Sequence, residues 1–471
     1  MASMEANVLA MLKEWYGDKV ESLLFRNSPV FSKIAKERVE GKSYNFPALA
    51  GFSGGVGGDY TKAVKNASRT GTTAQWAVEP GQIFGAVSFN AKEVLASKSN
   101  RGAFMRVADA KLFTSFDAIQ KVLATALYGR GYGEVCKSGF TTTTAIASAA
   151  TFQITGIPEY AMMTFVPGME LELKGSITAS TAIAKLTVQS ANGSAIVVQT
   201  ENSIASSAVA STDIICIAGS MNGETPLLPM GLAGWLPNVA KRTGANWATY
   251  AGLKFFGVDR SKNQDALCGA YYDGSGTNET KDVAVQKLLR KVRRQGSNAD
   301  IIILNDEDWA DMAANVPTTN SYFTQTSSKG KKVINAGTAE MTAAFSTNYI
   351  ENIYDDPFCP KGRFYILDSE KIKFISYSNA DRVVDTGVAG NEPGTREYSE
   401  GDDVAAKPYG LLIDDLLTLQ PGKEGVDGPS TVVGINVYGA FVITNPAKCG
   451  VGNFYSNSDA NYYDIQAKAT A

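Results

Sequence analysis

The residues best able to do chemistry are three consecutive acids, Asp306, Glu307 and Asp308, followed by Asp311. Four carboxylates in that space could in principle hold magnesium or calcium through oxygen ligands. Their setting favours a plainer role. Asn305 is a good helix N-cap, so the acids fall in a first helical turn, where they complement the positive end of the helix dipole. The ligand periodicity and glycine of an EF-hand loop are missing. A second cluster, Lys287, Arg290, Lys291, Arg293 and Arg294, could grip phosphate. It also sits near the C-terminus of a helix expected over Asp282–Gln295, where cations are favoured, and an ordinary solvated face is the simpler reading.

What the chain lacks narrows the chemistry further. None of its 471 residues is histidine. That excludes Ser-His-Asp and Cys-His catalysis and removes the commonest ligand of zinc, copper and non-haem iron. An enzyme here would have to work with carboxylate, lysine, tyrosine or hydroxyl groups. Cys136, Cys216, Cys268, Cys359 and Cys449 are odd in number and widely spaced, with no Cys-x-x-Cys pair, which fits buried reduced thiols. The run Gly274–Lys281 lacks the glycine directly before lysine that a phosphate-cradling loop needs. No catalytic residue, cofactor or metal is therefore expected.

Charge is nearly balanced, 44 basic against 47 acidic residues for a net −3, which argues against general capture of nucleic acid or anionic membrane. Charged residues interrupt every apolar stretch before it could span a bilayer, and the opening residues lack a signal-like pattern. Synthesis and assembly in the cytoplasm are expected.

The elements follow from periodicity. Val8, Leu9, Leu12, Trp15 and Tyr16 fall at helical spacing and suggest an N-terminal arm over 1–45. Residues 46–96 carry the glycine run Gly51–Gly58 between two extended pieces, Lys42–Phe46 and Ala74–Phe89, the second broken by a turn at Glu79-Pro80-Gly81. Together they predict a long, poorly buried hairpin, since glycine loses the most backbone freedom on ordering and offers no side chain to pack. Over 97–139, Phe104, Val107, Leu112, Phe116, Ile119, Leu123 and Leu127 recur at three- and four-residue steps, predicting a spine helix from Ser99 to Gly129. From about 140 to 228 the chain turns poor in charge and rich in Ala, Ser, Thr and Val, with short alternating runs separated by Gly175, Asn192-Gly193 and Gly219. These predict an inserted β-barrel or sandwich. Mixed α/β patterns follow over 229–280 and 281–430, and a closing strand with a C-terminal segment occupies 431–471. The fold class is α+β.

That order of parts resembles the major capsid proteins of tailed bacteriophages, the Hong Kong 97 fold family. Three strings support the resemblance: Asn298–Asn305 followed by Trp309, Tyr354–Gly362 followed by Tyr365–Asp368, and Tyr438–Pro446. It extends over nearly the full length. It implies an arm and hairpin that reach over neighbours, a spine helix in a peripheral domain (229–280 completing it), and an axial domain over 281–430 that meets its copies around five-fold and six-fold axes.

The function so implied is that of a structural subunit, not an enzyme, that self-assembles into an icosahedral shell around double-stranded DNA. The location would be the virion, with assembly in the host cytoplasm. Its partners would be further copies of itself, with scaffold and portal proteins, weak non-specific contact with packaged DNA, and no membrane. Phe46, Phe52, Tyr60, Trp76 and Phe84 on the extension, with Trp309 in the axial region, are read as subunit-interface residues, because aromatic side chains on a segment without its own core need another surface. Two other readings stand beside it: a bacterial nanocompartment shell of the same fold, and a histidine-free hydrolase or glycan-binding protein whose β-domain holds the ligand.

Overall fold

A computed structural model describes residues 30–90, 115–238, 254–314, 352–377 and 411–454, with short breaks inside these spans, and two short strands at 325–326 and 332–333. The expected N-terminal helical arm, the first half of the spine helix, Phe52 and the segment after 454 lie outside the described residues.

Three bodies of structure emerge, each with its own apolar core, and together they make a mixed α+β chain. The first is a seven-stranded sheet built around the strand Ser430–Ile443. That strand pairs with four others along its length, Gly81–Asn90, Ile372–Tyr377, Leu417–Leu419 and Lys423–Glu424. Its first part pairs antiparallel with Gly81–Asn90, from Ser430 opposite Asn90 to Gly439 opposite Gly81. On its other side it pairs with Ile372–Tyr377, which in turn pairs parallel with Ala35–Val39. The described part of the spine helix, 117–128, buries Ile119, Val122, Leu123, Ala126 and Leu127 in this core. The spacing is that of a helix showing one face to a sheet. Gly85 is where the two meet: a side chain there would start 2.6 Å from Ile119, so helix and strand approach closely only because the position has none.

The second body is a single antiparallel sheet of six strands in the order Glu134–Lys137, Ile214–Ile217, Glu170–Lys174, Ala184–Asn192, Ala195–Thr200, Thr151–Thr155. Alternation places Leu171, Leu173, Leu186, Val188, Ile196 and Val198 inside. The sequence predicts a barrel or sandwich. The pairing found is one sheet, and its outer strands, Glu134–Lys137 and Thr151–Thr155, do not pair with each other among the described residues. The register shifts between Val188 and Ser190 and between Ile215 and Cys216, irregularities of the kind that bend a strand.

The third body is a five-stranded sheet, Ala270–Asp273, Gly450–Asn453, Arg363–Leu367, Ile301–Leu304 and Asn352–Asp355 in spatial order. The helix Lys281–Arg294 lays Ala284, Val285, Leu288, Leu289 and Val292 on it. After Ile443 the chain crosses from the first sheet to this one through Pro446–Lys448, so the closing segment ties both together.

Two chain passages form the neck of the inserted sheet. Gly131 and Gly133 take positive φ of 83° and 71°, a backbone state only glycine adopts without strain. Between and beyond them, Glu134 turns its buried carboxylate back to accept the amides of Arg130 at 2.5 Å and Tyr132 at 3.1 Å. The returning passage closes the neck with the amide of Leu228 donating to the carbonyl of Gly131. The spine and the third body are also joined, by the Tyr128 hydroxyl donating to Asp356 at 2.8 Å, with both side chains buried.

Candidate assembly surface

The glycine-bearing extension is a hairpin whose strands, Tyr44–Leu49 and Thr73–Val78, pair antiparallel with Phe46 opposite Trp76. One face of it is apolar, because Phe46, Trp76 and Val78 alternate with Asn45, Gln75 and Ala77. That face turns into the chain's own core. Trp76 is fully buried, 5.3 Å from the ring of Trp235 and 5.9 Å from Phe255, and Phe46 stacks on both tryptophans. The amide of Ala77 donates to Phe256 at 3.1 Å. Phe46 and Trp76 therefore need correction as interface residues. Their rings are covered within the subunit, where burying two large aromatics stabilises the hairpin base, and neither is available to a neighbour.

The whole extension also departs from the expected form. The sequence predicts one poorly buried hairpin from Tyr44 to Phe89. In the fold, Thr73–Val78 belongs to the hairpin, but after Glu79-Pro80 the next strand, Gly81–Asn90, leaves it to pair with Ser430–Ile443. The base has a home in its own polypeptide.

The tip differs. The helix Tyr60–Asn66 has no buried residue. Asp59 starts it by accepting the amides of Thr61 at 2.9 Å and Lys62 at 3.4 Å. Val56 is 81% exposed, Tyr60 83% and Val64 52%. Tyr60 and Val64 stand one turn apart and so share a helix face. Phe84, 57% exposed, lies on the strand Gly81–Asn90 and meets Tyr438 edge-on at 5.7 Å. Trp309 is half-buried and packs on the core of the third body.

The acid cluster makes its contacts within the chain. Asp308 is buried; it accepts from Lys281 at 2.8 Å and from the amide of Gly362 at 2.5 Å, while Asp311 meets the same lysine at 2.7 Å. Burial pushes the Asp308 carboxyl above its ordinary value, opposed by Lys281. Lys361 pairs with Glu307 and holds its carboxyl below the usual range. Asn305 caps the helix Asp306–Ala314 by accepting from Glu307 at 3.0 Å. Among the described residues no group of three or more Cys, Asp or Glu is arranged to hold a metal ion, and no helix is long and apolar enough to cross a membrane. In the basic cluster, Lys287 pairs with Glu279, and Lys291 donates to the carbonyl of Tyr271 at 2.9 Å and lies over the Tyr272 ring.

Sequence reasoning missed Glu134 and the Tyr128–Asp356 link. Alternating glycines at 129, 131 and 133 signal the first; nothing local signals the second, whose partners are 228 positions apart.

No family model and no curated protein matches the chain. Several solved structures are similar to it over most of their length. One is the capsid asymmetric unit of cyanophage A-1(L), with a TM-score of 0.49 and 14% identity, covering 92% of this chain and 93% of that one. Another is from Mycobacterium phage Adephagia, at 0.36 and 10%, covering 91% and 90%. A third is a virus-like particle from Pyrococcus furiosus, at 0.34 and 6%, covering 92% and 96%.

Proposed function

We propose that this chain is the major capsid protein of a tailed bacteriophage, a Hong Kong 97-type subunit that assembles with copies of itself into an icosahedral shell around double-stranded DNA. The observation that carries the reading is the two-part hairpin: a base clamped in the subunit's own core holds out a capped helix on which no side chain is buried. A protein that held Val56, Tyr60 and Val64 in water for no reason would gain nothing from ordering them. A neighbour's surface supplies the reason. The order of parts agrees: hairpin, spine helix, inserted sheet, mixed α/β body and a closing strand that runs beside the hairpin's own continuation. In this reading the third body is the axial domain, and the chain acts by binding its copies, with no catalytic step. Many weak interfaces per subunit give a stable shell while letting misplaced subunits dissociate.

Electron microscopy of the purified protein tests the proposal, alone and with a scaffold protein. Closed isometric particles are expected. A strictly monomeric species under every assembly condition would contradict it, and particles that enclose a protein cargo in place of DNA would move the reading to a nanocompartment.

A further inference from the structure

We propose that Arg260 is a positioning residue that fixes the direction in which the hairpin leaves the subunit. The inference rests on the assembly reading for its consequence, though not for its geometry. Arg260 is fully buried and follows the strand Val258–Asp259, which pairs with Lys254–Phe255. Its guanidinium carbon lies 3.6 Å from the centre of the Phe255 ring and 5.7 Å from that of Trp76. Its terminal nitrogens donate to the carbonyls of Gly234 at 2.8 Å and Trp235 at 3.4 Å. Among the described residues this one side chain touches three separate pieces of chain: the hairpin arm through Trp76, the short helix Leu232–Trp235, and the strand pair 254–259.

The residue type is informative. A leucine or methionine could fill the volume without the cost of burying a charge, so filling alone does not explain an arginine here. A planar guanidinium stacks on ring faces while donating in its own plane, which sets orientation as well as distance. Trp235 is itself fixed, since its indole N–H donates to the carbonyl of Phe441 at 2.7 Å in the long closing strand. The chain of contacts therefore runs from the central sheet through Trp235 and Arg260 to Trp76 at the hairpin base. The bond from the Ala77 amide to the Phe256 carbonyl and the apolar packing hold the base in place, and the guanidinium, donating in its own plane while facing the rings, adds the constraint on its angle. The tip, roughly ten residues further out, magnifies any error in that angle.

The test is a spin–spin distance measurement on the unassembled full-length subunit, with labels at Gln75→Cys on the hairpin arm and Ser88→Cys on the central sheet. Both positions are exposed, and the five native thiols are buried. The parent protein should give one narrow distance distribution, broadened at least twofold by Arg260→Lys, which keeps the charge and loses the plane, and by Arg260→Met. Phe255→Leu, which keeps the guanidinium and its carbonyl bonds but removes the stacking ring, should broaden it less. An unaltered width in these variants overturns the proposal, as does a parent distribution that is already broad. Should the Arg260 variants fail to fold, the width in Phe255→Leu decides alone. The assembly reading fails separately: a parent protein that gives a narrow distance yet never forms particles sinks the shell and leaves the positioning role of Arg260 standing.

Discussion

The base and the tip of the hairpin are a few turns of chain apart and obey opposite rules. At the base, Phe46, Trp76 and Val78 face inward and join a core that includes Trp235, Phe255 and the long closing strand. At the tip, Val56, Tyr60 and Val64 face water, and the helix that carries two of them rests on its Asp59 cap with no buried side chain. A helix of seven residues is marginal by itself. On the proposed function the extension is divided in labour: the base belongs to folding of the subunit, the tip to what the subunit meets. Aromatic content alone does not separate the two, since both ends carry rings.

The contrast can be broken most forcefully at Trp76. Trp76→Ala should cost about 3–5 kcal/mol of folding stability by leaving a cavity in a packed core, measured by denaturant unfolding. A loss below about 1 kcal/mol would mean that the base is not held as described. Next comes a control on the third body: Lys281→Met removes the cation beside buried Asp308 and should cost about 3 kcal/mol, which the same unfolding measurement reads. It should leave the hairpin untouched, and stability equal to the parent would contradict the pairing of Lys281 with Asp308.

A smaller effect is expected at the neck of the inserted sheet. Burial raises the Glu134 carboxyl above its ordinary value of 4.5, although the amides of Arg130 and Tyr132 and the nearby Arg130 charge oppose the rise. The native state then holds this proton more tightly than the unfolded state. The stability it contributes is full below the ordinary carboxylate pKa, and it is lost as pH rises through the raised native value. Glu134→Gln should flatten that part of the stability profile between mildly acid and neutral pH; an identical slope in the variant would contradict it. The smallest effect on folding belongs to the tip. Tyr60→Ala should change stability by no more than about 0.5 kcal/mol, yet reduce the yield of particles seen by electron microscopy at least several-fold. Assembly at the parent's yield would show that Tyr60 does not meet a neighbour.

Much of the fold was legible because it rests on local pattern. The acids of 306–308 signal a helix start through the dipole, and the helix Asp306–Ala314 begins there with Asn305 as its cap. The stripe ending at Leu127 marks a helix, and its described part has the predicted buried face. Partners of a strand are another matter. Gly81–Asn90 alternates like a hairpin arm, and only Ser430–Ile443, more than three hundred residues away, decides that it joins the central sheet. The same distance hid the fate of Phe46 and Trp76: period-two alternation says that one face is apolar, but not whether the covering surface lies in the same chain. Tyr60 and Phe84 were legible as aromatics on that extension, and their exposure sets them apart from the buried pair. Arg260 was not legible, because a single arginine among aromatics carries no spacing signal, and its meaning arises only when Trp76, Phe255 and Gly234 converge on it.

Hydrogen exchange, compared between unassembled subunits and purified particles, tests the division most directly. Amides of Tyr44–Leu49 and Thr73–Val78 should be protected in both forms, while those of residues 55–66 should exchange rapidly in the subunit and become protected in the particle. Tip amides that exchange at the same rate in both forms would contradict it.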